Sequence, residues 1–174
     1  MDPTTAPPAA LEEPLGSEAR ADPAKKQLAL FAVLSLVTLG LGGWLTSLGL
    51  GPWYDALKKP WFQPPGWVFS PAWTLILSLL AVATWRVAQS GARARMALWL
   101  YGVQLVLNAG WSLFFFALKS PAWALGNILI LNAVVAAMIA TYGRLHRAAG
   151  WMLVPYILWL GLATAINAWI VMNN

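Results

Sequence analysis

Five apolar runs separated by short breaks account for nearly all of the chain beyond Lys26. They cover about Gln27–Leu50, Trp67–Gln89, Arg95–Leu118, Pro121–Tyr142 and Gly150–Met172. Each reaches the ~20 residues that cross a hydrocarbon core. In lipid every backbone amide needs a partner within its own segment, so the runs predict helices. Three of the four breaks are short, and only Gly51 to Gly66 is long. Short connections make successive helices antiparallel neighbours. The charges agree with this reading. Of six acids five lie before Lys25, and Asp55 is the only one after it. A soluble domain carries about 25 % charged residues, whereas this chain has 10 %. The expectation is an all-α integral membrane protein: a bundle of five transmembrane helices with a long Trp/Pro-rich first loop.

Residues 1–26 are rich in Pro, Ala and Glu and contain almost no large apolar side chain. They cannot bury enough surface to offset ordering entropy, so they are expected to form a disordered N-terminal tail before a membrane domain at 27–174. Lys25, Lys26, Arg86, Arg93, Arg95, Arg144 and Arg147 fall on one side of the five crossings, and Lys58, Lys59 and Lys119 on the other. The positive-inside rule then predicts a cytoplasmic N-terminus and an outward first loop, in a bacterial-type cell membrane. Basic residues scattered at the ends of apolar runs are a topology signal, so no nucleic-acid partner is expected.

Much chemistry is excluded by what is missing. The sequence has no cysteine and one histidine, His146, in a basic loop. No acid falls within a span, so proton relays and buried acid–base catalysis are not expected, and neither is a metal site. Aromatic and amide side chains remain. There are twelve tryptophans. Trp44, Trp85, Trp99, Trp123 and Trp151 lie near helix ends and suit an interfacial belt. Trp73, Trp111 and Trp159 lie deeper, where an indole N–H wants a partner or a ligand.

Gln104, Asn108 and Trp111 share one helical face by their i, i+4, i+7 spacing. Trp159, Ala163 and Asn167 form another stripe, and Asn127 and Asn132 lie in the fourth span. Buried amides must be satisfied by one another, by water or by a ligand. Two readings are open: interhelical hydrogen bonding, and a cavity lined by Trp and Asn for a flat, apolar ligand with a few polar edges.

The first loop reads as a lid. Pro52 can open a short helix running on to Lys58, with Asp55 placed to pair with Lys58 or Lys59. Pro60 stops it, and Pro64-Pro65 holds the chain extended. Prolines lower the cost of ordering such a loop, and its tryptophans are too many for a solvated linker.

The stretch WYDALKKPWFQPPGWVFSPAWT, with NAGWSLFFFALKSPAWAL and VPYILWLGLATAIN after it, strongly resembles the TspO/MBR family of bacterial tryptophan-rich sensory proteins and mitochondrial translocator proteins. The resemblance covers roughly Leu28 to Met172. It implies a five-helix bundle, commonly a homodimer, with a pocket under the first loop for porphyrins, haem and related tetrapyrroles. Matched motif by motif, the implied pocket positions are Tyr54, Trp73, Asn108, Trp111, Trp123, Asn127, Trp159 and Ala163, with Lys58 or Lys59 at the mouth to meet propionates. Asn127 stands where the family often has an acid, and Leu77 where it often has a tyrosine. Ala168 stands at the tyrosine of the animal cholesterol motif and no Lys or Arg follows Arg147, so sterol binding is not expected. The resemblance implies a membrane receptor or sensor that binds protoporphyrin or haem as ligand, with no other cofactor, and that moves it or regulates stress responses. Its alternatives are light- and oxygen-dependent porphyrin degradation using Trp73 and Trp159, and regulation by contact with a partner.

Overall fold

The computed structural model describes residues 22–174. Helix α1 spans Pro23–Ser47, α2 Pro52–Ala56, α3 Phe69–Ala88, α4 Arg95–Ser112, α5 Pro121–Leu145, α6 Arg147–Met152 and α7 Val154–Asn173. Single 3₁₀ turns at Gly66–Val68 and Gly91–Ala94 lead into α3 and α4, and a π-helical turn, Leu113–Ala117, extends α4. Five crossings of 23 to 27 residues are long and apolar enough to span a membrane. The chain is an integral, multi-pass membrane protein. Its outer faces are apolar, as at Leu36, Val106 and Leu158, on a scale that a protein solvated by water would not tolerate.

Most of the expected tail, residues 1–21, lies outside the described residues. Its end does not follow the expectation: Pro23 to Lys26 form the first turn of α1. Asp22 is the cause. Its carboxylate accepts from the Ala24 N–H at 3.0 Å, and Pro23 takes a first-turn position where no N–H is needed.

The fifth run is two helices rather than one. Pro155 has no N–H to donate back along the chain, and Leu153 adopts a turn geometry between α6 and α7. The fourth run continues past Tyr142 to Leu145, where His146 turns extended. A Cβ on Gly150 would lie 2.8 Å from the Cα of Gly143, so glycine there permits the close approach of α6 to α5.

The helices alternate in direction as expected. At the N-terminal end Trp85 Nε1 donates to Ala24 O at 2.9 Å, and Gln89 Nε2 donates to Gln27 Oε1 at 2.9 Å. Helix α1 packs on α3 and α4, α4 on α5, and α5 on α7. The half nearest the N-terminus is closed by Phe31, Leu77, Leu80, Tyr101 and Tyr142. The half under the first loop is where the helices leave space.

Candidate ligand-binding site

The lid is built from the loop's own geometry. Gly51 has φ +105°, a conformation that glycine adopts freely, and it turns the chain from α1 into α2. Helix α2 ends at Ala56, two residues short of the expected Lys58. The Lys58 N–H, which a longer helix would use, donates instead to Asn174 Oδ1 at 2.9 Å. Asn174 Nδ2 donates in turn to Lys58 O at 3.2 Å. One side-chain amide thus engages both backbone groups of Lys58 and ties the lid to the end of α7. Two such bonds net roughly 1–3 kcal/mol. Asn174→Ala is expected to raise amide hydrogen exchange at Lys58 about tenfold, and unchanged exchange would show the tie to be incidental.

The expected pairing of Asp55 with a lysine takes another form. Lys59 Nζ makes long contacts to the carbonyls of Asp55 and Leu57, at 3.4 and 3.3 Å. It also sits 4.4 Å from the centre of the Tyr54 ring, a cation–π arrangement.

The inner face of the lid is aromatic. Trp53 meets Phe115 edge-on at 6.0 Å, and Tyr54 meets Phe116 at 5.6 Å. Leu57 and Phe62 complete the contact with Ala124, Ile166 and Ile170. The π turn makes this possible. Its wider ring, closed by the Leu118 N–H to Leu113 O at 2.9 Å, lets the consecutive residues Phe115 and Phe116 both be buried. π turns of this kind are frequent at functional sites. The run of three phenylalanines was the one sequence signal, and it does not specify a π turn.

Beneath the lid lies a cavity of about 480 Å³. Helix α1 contributes Thr38, Gly42 and Thr46, α3 contributes Phe69, Trp73 and Leu77, and α4 contributes Asn108, Trp111 and Ser112. Tyr54 and Phe116 are also in its wall. Among the described residues no charged side chain lines it, and no His, Cys or Met. Tyr54 Oη accepts from Gln63 Nε2 at 3.1 Å, which leaves its own proton to give. Burial pushes the Tyr54 phenol above its ordinary range, the Gln63 hydrogen bond opposes the shift, and Asp55 adds to it. The phenol is therefore a donor at neutral pH.

Four of the expected pocket residues come together here: Tyr54, Trp73, Asn108 and Trp111. The structure does not bring Trp123, Asn127, Trp159 or Ala163 into the wall. Trp123 is 72 % exposed on the first turn of α5, away from the cavity. Asn127 Nδ2 donates to Leu107 O at 2.8 Å and its Oδ1 lies under Gly110, so it joins α5 to α4. Trp159 packs edge-on against Phe69 at 5.5 Å, one layer behind the wall. Its indole N–H is buried without a partner among the described residues. Ala163 packs with Ile128 and Leu160. Lys58 and Lys59 stay on the lid, outside the lining.

Most of the amides form interhelical hydrogen bonds. Trp111 Nε1 donates to Asn167 Oδ1 at 3.1 Å, and Asn167 Nδ2 to Pro121 O at 2.9 Å. Asn132 Nδ2 donates to Thr164 Oγ1 at 2.9 Å. Gln104 Nε2 and Asn108 Nδ2 both donate to Tyr156 Oη at 2.8 Å. Asn108 alone of these amides also reaches the cavity, where its carbonyl is left to accept. The sequence reading missed Tyr156. A tyrosine hydroxyl in the apolar first turn of α7 was the available signal. It also missed the wall from α1, although Thr38, Gly42 and Thr46 recur every four residues.

Five crossings, an aromatic lid and a cavity beneath it define a multi-pass membrane protein with an enclosed small-molecule site. Residues 29–172 match the model of the TspO/MBR family. The chain belongs to that family. It is 41 % identical over 115 residues to the tryptophan-rich sensory protein of Cereibacter sphaeroides, covering 66 % of this chain and 72 % of the relative. It is 31 % identical over 150 residues to the tryptophan-rich protein TspO of Chlorobaculum tepidum, covering 84 % and 95 %. To the translocator protein of Homo sapiens it is 32 % identical over 119 residues, covering 66 % and 70 %.

Proposed function

We propose that this protein is a membrane receptor or sensor that holds a tetrapyrrole, protoporphyrin or haem, in the cavity beneath the first loop. The observation that carries the reading is the cavity's composition: Trp73 on one wall, Trp111 on another, Tyr54 in the lid and no charge between them. Mostly apolar pockets with few polar groups suit flat, apolar ligands. The ring would contact Trp73, whose other neighbour is Tyr156, edge-on at 6.0 Å. In protoporphyrin the Asn108 carbonyl would accept from a pyrrole N–H, a contact that haem lacks, and in either ligand the Tyr54 hydroxyl would donate to a polar edge. Propionates would remain at the mouth, where Lys59 stands beside Tyr54. Among the described residues the lining offers haem iron no His, Cys or Met, and burial keeps Tyr54, the one side chain of a ligating type there, in its protonated form, so haem would be held chiefly through its ring.

The same reading places the first loop outside a bacterial cell membrane and pairs the chain as a homodimer. Photodegradation of the ligand would fall to Trp73, since Trp159 lies behind the wall.

Titration with protoporphyrin in nanodiscs in the dark, followed by tryptophan quenching, tests the proposal. Asn108→Ala is expected to weaken binding about tenfold, the worth of one buried hydrogen bond. Trp73→Ala should weaken it at least as much, through lost aromatic contact. Trp159→Phe should change it less than about threefold, because its ring stays in place and its N–H has no partner to lose. Saturable binding indifferent to both Asn108→Ala and Trp73→Ala would put the porphyrin on the protein's surface.

A further inference from the structure

The cavity wall is unevenly sealed. Its α4 side is closed: Asn108, Ser112 and Phe116 are buried and Trp111 is half-buried. Its exposed lining residues lie on the other side, on α1 and the turn after it, and on α3 and the 3₁₀ turn leading into it. They are Gly43 and Leu50 on one edge, and Gly66, Ser70 and Thr74 on the facing edge. The lid does not cover this side. Trp53, Tyr54, Leu57 and Phe62 pack over the π turn, α5 and α7, and Asn174 ties Lys58 there as well. Further down, Leu77 and Leu39 close α1 against α3. The two helices therefore meet in the inner half and part in the half nearest the loop.

The residues at the parting are small. A Cβ added to Gly43 would touch nothing within 4 Å. Gly66, Ser70 and Thr74 recur every four residues and face the gap together. The Thr74 hydroxyl donates back to Ser70 O at 2.8 Å, so it presents a methyl and no free donor. At ~1.5 Å per residue, Gly66 to Thr74 takes the opening roughly 12 Å down the helix. With Gly66 at the end of the crossing and so at headgroup level, roughly 12 Å would carry the lower edge into a hydrocarbon core about 30 Å thick.

We infer that the cavity exchanges its ligand sideways with the bilayer, through a portal between α1 and α3 edged by Gly43, Ser70 and Thr74. The inference deepens the reading of the cavity as a tetrapyrrole site and rests on it. It also specifies the ligand class. An occupant reaches the site already dissolved in the loop-side leaflet. Its body is flat and uncharged, since among the described residues neither portal nor cavity offers a counter-ion, and any carboxylates stay at headgroup level.

Protoporphyrin exchange between protein in nanodiscs and plain phosphatidylcholine vesicles tests this by stopped-flow quenching. Thr74→Phe and Gly43→Phe, made separately, put an aromatic ring into the opening. Each is expected to slow uptake and release together, by tenfold or more, whereas loss of a binding contact would raise the release rate alone. Asn174→Ala, which frees the lid, should leave both rates within about twofold. Exchange at the wild-type rate through both plugged variants, or exchange accelerated by Asn174→Ala, would overturn the portal in favour of the lid. A second arm needs no tetrapyrrole. The sequence has no cysteine, so a nitroxide on Thr74→Cys reports one position. It should collide with dissolved oxygen far more than with a water-soluble nickel chelate. The reverse order would make the gap an aqueous cleft and sink the proposal. Wild-type protein that takes up no protoporphyrin would end the tetrapyrrole reading, and the nitroxide would then decide the portal.

Discussion

Gly49→Ala should lower the thermal midpoint of the purified protein by about 6–12 °C. Gly49 is buried just past the end of α1, against the π turn. A Cβ there would lie 2.5 Å from Phe116 O and 2.7 Å from Phe116 Cα. Both are backbone atoms, so no flexible side chain can yield. The strain must be relieved by moving α1 off the π turn, at about 3 kcal/mol, the upper range for overpacking. In a chain of this size each kcal/mol moves the midpoint by about 2–4 °C. Gly40→Ala is the control on the same helix. A Cβ at Gly40 meets nothing within 4 Å, and replacing an interior helical glycine gains about 0.5–1 kcal/mol. Size-exclusion after heating in detergent reads both. Equal midpoints for Gly49→Ala and wild type would mean that α1 and the π turn do not touch in this way. Phe116 also lines the cavity and carries Tyr54, so the Gly49 variant should bind protoporphyrin poorly even where it survives.

The five crossings were legible because each is one long apolar run, and lipid leaves a backbone in such a run only one arrangement. The ends were less so. Asp22 and Pro23 start α1 before the first apolar residue, and Pro155 splits the fifth run, although both are local signals that a sequence carries. The π turn has no comparable signal. In the site, residue types were legible and their partners were not. A stripe such as Trp159, Ala163 and Asn167 identifies a buried face, but not which helix stands opposite it. Helix α7 turns that stripe toward α3, α4 and α5, so Trp159 backs onto Phe69 and Asn167 bonds across to Trp111. The stripe of Gln104, Asn108 and Trp111 meets Tyr156 at one end and the cavity at the other. The contribution of helix α1 escaped the sequence reading because Thr38, Gly42 and Thr46 work by being small. Space is made by what two helices lack together, and neither sequence segment alone shows it.

Tyr156→Phe tests whether the amides serve the fold or the ligand. Its hydroxyl accepts from both Gln104 and Asn108, and Gln104 is wholly buried. Removing the oxygen leaves two donors unpaired away from water, at ~1–3 kcal/mol each. The single variant is therefore expected to lose about 3 kcal/mol, a fall in midpoint of roughly 6–12 °C, from the deletion of one atom. Replacing the amides as well should reverse this. In Tyr156→Phe with Gln104→Leu and Asn108→Leu no donor is left unpaired, and apolar groups of similar shape are close to neutral. Stability should return to within about 1 kcal/mol of wild type. Binding should move the other way. The single variant keeps the Asn108 carbonyl at the cavity and should hold protoporphyrin within about tenfold of wild type, whereas the stable triple variant has lost that acceptor and should bind worse than the single one. A triple variant no more stable than Tyr156→Phe would deny that the three groups form a closed unit. A triple variant that binds like wild type would make Asn108 a strut of the bundle, and the polar contact of the proposed site would have to come from Tyr54 or Ser112 instead.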